Sequence, residues 1–142
     1  VRGSLNRLRP GALEGRTLKD ALEKMIREYQ TLSNLQVDLH YEWVDVDMDV
    51  MIEDTIFRVI QESMTNAVRH GHASQMSLHF FEDEEDYLIE LQDNGVGFET
   101  LTYGYGLKQM MERISILGGQ LQFESRDGFF TRVSLPKYKE GR

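Results

Sequence analysis

The sequence contains no cysteine. This absence excludes disulfide bonds, thiol catalysis and metal sites built on thiolates. A cytosolic location fits this absence. The sequence also lacks an apolar run long enough to cross a membrane, and no signal peptide is visible. Basic residues are fewer than acidic ones, 16 against 24, so the net charge is −8. General binding to a nucleic-acid backbone needs a basic surface, so any phosphate bound here must be held locally by N–H groups, a metal ion or a few cations.

The chain has the length and composition of one soluble globular domain. Of its 142 residues, 40% are hydrophobic and 28% charged. It begins without a methionine, and we expect it to be part of a longer protein. Val1, Leu5 and Leu8 have helical spacing up to Pro10, which favours either the end of a preceding helix or a frayed terminus. The predicted boundaries are a preceding helix with its linker at 1–10, one domain at 11–137 and a tail at 138–142.

The first part of the domain combines a helical and an extended pattern. Thr17 and Asp20 resemble a capping box at the start of a helix. The apolar residues that follow at helical spacing are Leu18, Leu22, Met25, Ile26, Tyr29 and Leu32. They predict a helix with one buried face. The next apolar residues alternate along the chain, which predicts a half-buried strand, and they are Val37, Leu39, Tyr41 and Trp43.

A D-x-D-x-D pattern at residues 45–49 has the spacing of a calcium-binding loop. Val50 and Ile56 occupy the positions at which an EF-hand loop needs glycine and a bidentate glutamate. We therefore reject the calcium loop and predict an acidic connection in which Asp47 or Asp49 caps the next helix.

This next helix is long, runs to about Gly71 and has two chemically different faces. The apolar face consists of Ile56, Phe57, Ile60, Met64, Ala67 and Val68. Glu62, Asn66, Arg69 and His70 fall within about a third of the helix circumference on the opposite side. On spacing alone, this polar face fits a solvated surface as well as a ligand site. His70 and His72 lack a clustered third ligand, so we do not predict a zinc site.

After Gly71 the pattern alternates, which predicts two hairpins. In the first hairpin, the inward residues of the first strand are Met76, Leu78 and Phe80. An acidic turn at 82–86 follows, and the inward residues of the second strand are Tyr87, Ile89 and Leu91. In the second hairpin, the inward residues of the first strand are Leu121 and Phe123. After a turn at Asp127-Gly128, those of the second strand are Phe129, Val133 and Leu135. Asp93 and Thr131 share the parity of these apolar residues, so the pleat points both toward the core. Buried polar groups need partners, and a ligand could supply them.

Two glycine-rich segments lie between the hairpins, at residues 93–97 and 104–107. Asp-Asn-Gly at the start of the first is a strong hairpin-turn signal, but no strand pattern follows within a few residues. The glycines fit neither the dinucleotide fingerprint nor a P-loop. Gly104 and Gly106 begin a helix predicted from Leu107, Met110, Met111, Ile114 and Leu117, which Gly118-Gly119 ends. Because a helix N-terminus offers free N–H groups to phosphate, the combination predicts a Mg-nucleotide site.

The predicted elements follow one another as helix, strand, long helix, hairpin, glycine-rich segment, helix and hairpin. This order predicts an α/β (α+β) two-layer sandwich with a mixed, largely antiparallel sheet.

The ordered motifs resemble the catalytic, ATP-binding domain of two-component sensor histidine kinases, which belong to the GHKL superfamily. Residues 62–70 (Glu-Ser-Met-Thr-Asn-Ala-Val-Arg-His) match the N box, 93–98 (Asp-Asn-Gly-Val-Gly-Phe) the G1 box and 104–107 (Gly-Tyr-Gly-Leu) the G2 box. The run Gly-Leu-Lys-Gln-Met-Met-Glu-Arg-Ile from Gly106 is most similar to the subfamily whose response regulators carry a LuxR/NarL-type DNA-binding domain. The resemblance covers about residues 11–137. It implies a Bergerat-type ATP-binding fold with helices on one face of the sheet.

The resemblance implies roles at the phosphate end of the site. Asn66 would bind Mg²⁺ through its amide oxygen, since this hard cation prefers oxygen ligands. Glu62 would orient a water or the incoming phosphoacceptor and could reach the metal through water. Arg69 and His70 would lie near the phosphates. The residues that would cover the phosphates are Gly104, Tyr105, Gly106 and Leu107.

At the adenine end, the resemblance implies that Asp93 accepts a hydrogen bond from the amino group of the base. Thr131 would support the base, and the backbone at Gly95 and Gly97 would pass close to the purine. Phe98, the last residue of the G1 box, would also contact the nucleotide.

The sequence departs from the family pattern in two places. The family's last box usually has the form G-x-G-T, but Phe130 replaces the second glycine at 128–131, which predicts a changed floor of the adenine pocket. The segment at 98–103 is short, which predicts a small, mobile lid and modest nucleotide affinity.

The four histidines, His40, His70, His72 and His79, lie in predicted strands or at the N box. The resemblance therefore implies that the phosphoaccepting histidine belongs to a separate dimerisation domain upstream. The chain would transfer the γ-phosphoryl of ATP to that histidine for relay to a response regulator, without touching nucleic acid directly. We expect a membrane-tethered full-length protein and a monomeric fragment. The alternatives are another GHKL ATPase, such as a serine kinase, and a degenerate, non-catalytic nucleotide-sensing module.

Overall fold

The computed structural model describes Leu13 and residues 15–44, 46–96 and 105–137, without the side chain of Tyr105. The described residues form three helices and five strands: α1 (Leu18–Leu32), β1 (Gln36–Tyr41), α2 (Val50–Arg69), β2 (Gln75–Glu82), β3 (Asp86–Asp93), α3 (Tyr105–Ile116), β4 (Gln120–Ser125) and β5 (Phe129–Pro136). This order confirms the predicted one. The predictions for residues 1–10, Asp45, the 98–103 segment and the 138–142 tail lie outside the described residues.

The five strands form one sheet with the order β1-β2-β3-β5-β4. β1 and β2 are parallel, and every other pair is antiparallel, which confirms the mixed, largely antiparallel sheet. Because β5 lies between β3 and β4, Thr131 stands opposite Leu91 of β3. This register brings the two polar residues of the apolar face, Asp93 and Thr131, to the same end of the sheet.

The helices cover one face of the sheet. Buried residues of all three helices and the inward residues of the strands belong to one hydrophobic core. Ile60 and Met64 of α2 are fully buried in it, as are Leu78 and Phe80 of β2. A side chain of this size stabilises the fold by about 1.5–3 kcal/mol when fully buried. The fit between α2 and the sheet therefore holds the polar end of α2 in place. None of the three described helices combines the length and apolar character that a membrane span requires.

Both predicted helix caps are present. The Thr17 hydroxyl accepts a hydrogen bond from the Asp20 N–H at 3.1 Å, and Asp49 Oδ1 accepts one from the Met51 N–H at 2.7 Å. Asp49 is thus the residue that caps α2. Such caps contribute about 1 kcal/mol each by satisfying N–H groups that lack a partner within the helix.

Two predictions at the ends of elements are wrong, although Trp43 is buried in the core. β1 ends at Tyr41, so Trp43 is not part of the strand. Trp43 instead packs across the end of the sheet, where its indole N–H donates to the Phe81 carbonyl at 2.6 Å and its ring meets Phe80 edge-on. Leu32 is 86% exposed, because it is the last residue of α1 and the chain turns away there toward β1.

Candidate functional site

A cleft lies between the C-terminal half of α2 and the ends of β2 to β5, next to the start of α3. Its walls are mainly apolar and carry a few polar groups, as is usual for small-molecule sites. The lining residues are Ser63, Asn66, Met76, Leu91, Asp93, Leu107, Phe123, Phe129 and Thr131. Four of the predicted site residues, Asn66, Asp93, Leu107 and Thr131, thus meet in one place.

Asp93 is the buried acid of this cleft, with 6% of its surface exposed. Its Oδ1 accepts two hydrogen bonds, from the Gly95 N–H at 2.8 Å and the Phe129 N–H at 3.0 Å. Its Oδ2 has no hydrogen-bond partner among the described residues. The two N–H groups therefore fix the orientation of the carboxylate and leave one oxygen to accept from a ligand.

Thr131 is the second buried polar group, 3% exposed, and its hydroxyl has no partner within the described part of the chain. Leaving a buried polar group without a partner costs about 1–3 kcal/mol, which favours a ligand that can pair with it. Phe123 and Phe129 form the apolar wall beside it, with ring centroids 5.5 Å apart and perpendicular planes. A flat apolar ring that donates one hydrogen bond fits such a site.

Helix α2 supplies two polar side chains to the cleft, Asn66 and Ser63. Both are half-buried, and no described residue bonds the side-chain amide of Asn66. We did not predict Ser63. Its spacing of three residues from Asn66 places it on the same face of the helix, and this was the signal that could have identified it.

Glu62 does not line the cleft, but its carboxylate lies against Gly106 at the N-terminus of α3. A Cβ atom on Gly106 would overlap the Glu62 carboxylate, so only glycine leaves room for the acid at this position. A carboxylate is favoured there, because a helix N-terminus carries partial positive charge. The structure thus brings the predicted acid of the N box together with the G2 box.

The other predicted residues lie around the cleft or outside the described part. Gly95 lies two residues after Asp93 and packs on Gly71. Arg69 and His70 are exposed at the end of α2 and do not line the cleft, so their place near phosphate stays a prediction. Gly97, Phe98, Gly104 and the side chain of Tyr105 are not described.

The prediction that Phe130 changes the floor of the pocket is wrong. Phe129 and Thr131 line the cleft, and the alternation of β5 turns Phe130 to the opposite face of the sheet. There the guanidinium of Arg126 stacks over the Phe130 ring at 4.0 Å.

Comparisons with known proteins agree with this geometry. Residues 51–139 match the family model of histidine kinase-, DNA gyrase B- and HSP90-like ATPases. The chain is 35% identical to the signal transduction histidine-protein kinase/phosphatase UhpB of Salmonella typhimurium, covering 96% of this chain and 28% of that protein. It is 30% identical to the sensor histidine kinase LiaS of Bacillus subtilis, covering 95% of this chain and 38% of LiaS. The chain thus spans between about a quarter and two fifths of the length of these relatives.

Among solved structures, the histidine kinase AdeS of Acinetobacter baumannii has the same fold, with a TM-score of 0.73 at 19% identity over 85% of this chain and 65% of that one. The fold, the cleft and the matched sequence lead to one conclusion. The chain belongs to the family of histidine kinase-, DNA gyrase B- and HSP90-like ATPases.

Proposed function

We propose that this chain is the ATP-binding catalytic domain of a sensor histidine kinase. It would position the γ-phosphoryl of Mg-ATP for transfer to a histidine of an upstream dimerisation domain, from which a response-regulator aspartate receives it. The similarity to UhpB and LiaS supports the kinase assignment, and the run from Gly106 supports a LuxR/NarL-type regulator. The domain would lie in the cytosol.

One observation carries the proposal: Asp93 Oδ2 and the Thr131 hydroxyl lie side by side in a buried cleft, and neither has a hydrogen-bond partner among the residues that the structure describes. The exocyclic amino group of adenine would donate to Oδ2. Thr131 would bond a ring nitrogen directly or through a water. Phe123, Phe129 and Leu91 would enclose the base and exclude water from these hydrogen bonds.

The phosphates would extend from the base toward Asn66 and the N-terminus of α3. Asn66 would hold Mg²⁺ through its amide oxygen, with Glu62 reaching the metal through water, and these oxygen donors suit the cation. When bound, Mg²⁺ neutralises part of the phosphate charge. The N–H groups at the start of α3 would bond phosphate oxygens. Glu62 would orient the incoming imidazole and accept its proton, so the chain contributes mainly position and charge.

Two other functions make different predictions. A serine kinase of the same superfamily would leave an acid-stable phosphate on its partner, whereas phosphohistidine is acid-labile and alkali-stable. A degenerate nucleotide sensor had Phe130 as its only support in the sequence, and Phe130 lies on the face away from the cleft.

The test is to join the chain to its upstream dimerisation domain and incubate it with γ-labelled ATP and Mg²⁺. We expect an acid-labile, alkali-stable label on a histidine of that domain. Asn66→Ala should reduce labelling at least about hundredfold, because it removes a ligand that is needed to place the phosphates. Acid-stable label, or no label with nucleotide bound, would contradict the proposal.

A further inference from the structure

Asn94, between the adenine-binding Asp93 and Gly95, has a role that the turn interpretation of Asp-Asn-Gly does not explain. Its Oδ1 accepts from the N–H groups of Ser74 at 2.8 Å and Gln75 at 3.0 Å, and its Nδ2 donates to Ser74 Oγ at 3.0 Å. An amide side chain carries an acceptor oxygen beside a donor nitrogen, so it can make both kinds of hydrogen bond at once. Asn94 therefore ties the end of β3 to the start of β2.

These contacts reach the segment that leaves the N-box helix, which we call the connecting turn (residues 70–74). On one side, the turn is bonded to α2. The Asn66 carbonyl accepts from the N–H groups of His70 at 2.9 Å and Gly71 at 3.0 Å, and the Ala67 carbonyl accepts from Ala73 at 2.9 Å. The connecting turn is thus bonded directly to the backbone of Asn66, whose side chain is the proposed magnesium ligand.

On its other side, the connecting turn contacts the G1 box. The Gly71 carbonyl accepts from the Val96 N–H at 3.0 Å, and a Cβ atom on Gly95 would stand 2.5 Å from that carbonyl oxygen. His72 has a left-handed φ of 53°, which a non-glycine residue adopts at a cost. The surrounding hydrogen bonds, including those of Asn94, hold this conformation.

We propose that Asn94 is a positioning residue that sets the separation between the adenine end of the site at Asp93 and the magnesium and phosphate end at Asn66. This inference rests on the proposed function. A ligand that contacts both ends depends on their separation, whereas a ligand that contacts one end does not. Loss of Asn94 should therefore weaken Mg-ATP more than adenosine, because the site is no longer preorganised for both ends.

The experiment measures both ligands on the chain of 142 residues by displacement of a fluorescent ATP analogue, with Tm recorded for each variant. Asn94→Ala removes all three side-chain bonds, and Ser74→Ala removes only one. Tyr29→Phe is the matched control, because Tyr29 bonds Thr65, the neighbour of Asn66, at 2.6 Å from the side of α1. The quantity compared is the ratio of the adenosine Kd to the Mg-ATP Kd.

We expect Asn94→Ala to lower this ratio about tenfold, and Ser74→Ala and Tyr29→Phe to change it less than about twofold, whatever their effect on Tm. An Asn94→Ala variant that loses Tm but keeps the parent ratio would overturn the inference, since Asn94 would then serve stability alone. A parent chain that binds neither ligand would overturn the proposed function, and this inference with it.

Discussion

At the scale of single residues, the contact between Gly106 and Glu62 links the first turn of α3 to the N box. The missing side chain at Gly106 is what allows the Glu62 carboxylate to lie at the helix N-terminus. A side chain there would displace the acid rather than the backbone, because the end of a glutamate side chain moves easily. Gly106 therefore matters for the position of Glu62 more than for the stability of the fold.

Gly106→Ala should keep the fold but impair phosphotransfer. Alanine favours a helix over glycine, so Tm should fall by no more than about 2 °C. The displaced Glu62 should slow transfer to the histidine of the joined dimerisation domain by at least about tenfold. Lys108→Ala, an exposed position on the same helix, is the control and should transfer at the parent rate. Equal rates for both variants would show that Glu62 need not lie against α3.

Residue positions were predictable from the sequence where alternation alone decides them. The parity of β3 and β5 placed Asp93 and Thr131 on the inner face, and the structure confirms this. The same parity places Phe130 outward, which is why the family pattern around residue 130 does not predict the pocket floor in this chain. Asn94 was not predictable, because its partners lie 19 and 20 residues away and only the tertiary fold brings them together.

At the scale of elements, α2 begins among acidic residues and ends beside the cleft. Asp47, Asp49 and Glu53 lie near one another at its N-terminal turn. Burial, and then the charges of Asp47 and Asp49, raise the pKa of Glu53 above its ordinary value of 4.5. Burial, and then the charge of Glu53, also raise the pKa of Tyr41 to about 12. The folded state thus disfavours the ionised form of Glu53.

This raised pKa predicts how stability depends on pH. A carboxyl group whose pKa is higher in the folded state stabilises folding while it is protonated, and this contribution is lost as pH rises from 4.5 through the folded pKa. Glu53→Gln should therefore have a higher Tm than the parent at pH 7, and the difference should shrink toward zero as pH falls below 4.5. Thermal unfolding at several pH values measures this.

The control for this series is Glu112→Gln, which removes an exposed carboxylate from α3. It should change Tm little at either end of the pH range. A Glu53→Gln variant that is less stable than the parent at neutral pH would contradict the account. It would mean that attraction between Glu53 and the α2 N-terminus outweighs burial and the neighbouring acids.

The elements themselves were predictable because each has a clear hydrophobic period. The structure confirms their type and order, and it departs from the prediction at the ends of elements. Trp43 continues the alternating pattern of β1 but lies beyond the end of the strand. Leu32 continues the apolar stripe of α1 but is exposed. At the ends of elements, the surrounding tertiary packing determines where a side chain lies, because the regular backbone no longer does.

At the scale of the whole molecule, the site depends on the order of the strands. The second hairpin could have joined the sheet through either of its strands, and no local pattern distinguishes the two. Because β5 is the strand beside β3, its Phe129 N–H reaches Asp93 and its Thr131 faces the same cleft. The sequence predicted both polar residues, but the sheet order that unites them is a tertiary property.

The central claim is that Asp93 binds adenine, and calorimetric titration of ATP and ADP with and without Mg²⁺ tests it most directly. The parent should bind both nucleotides, and Mg²⁺ should strengthen ATP binding. In Asp93→Asn, the amide oxygen can still accept from Gly95 and Phe129, so the fold should survive, but an N–H group would then face the adenine amino group. We expect affinity to fall at least about tenfold. A parent that binds no nucleotide at millimolar concentration, or an Asp93→Asn variant with unchanged affinity, would contradict the account.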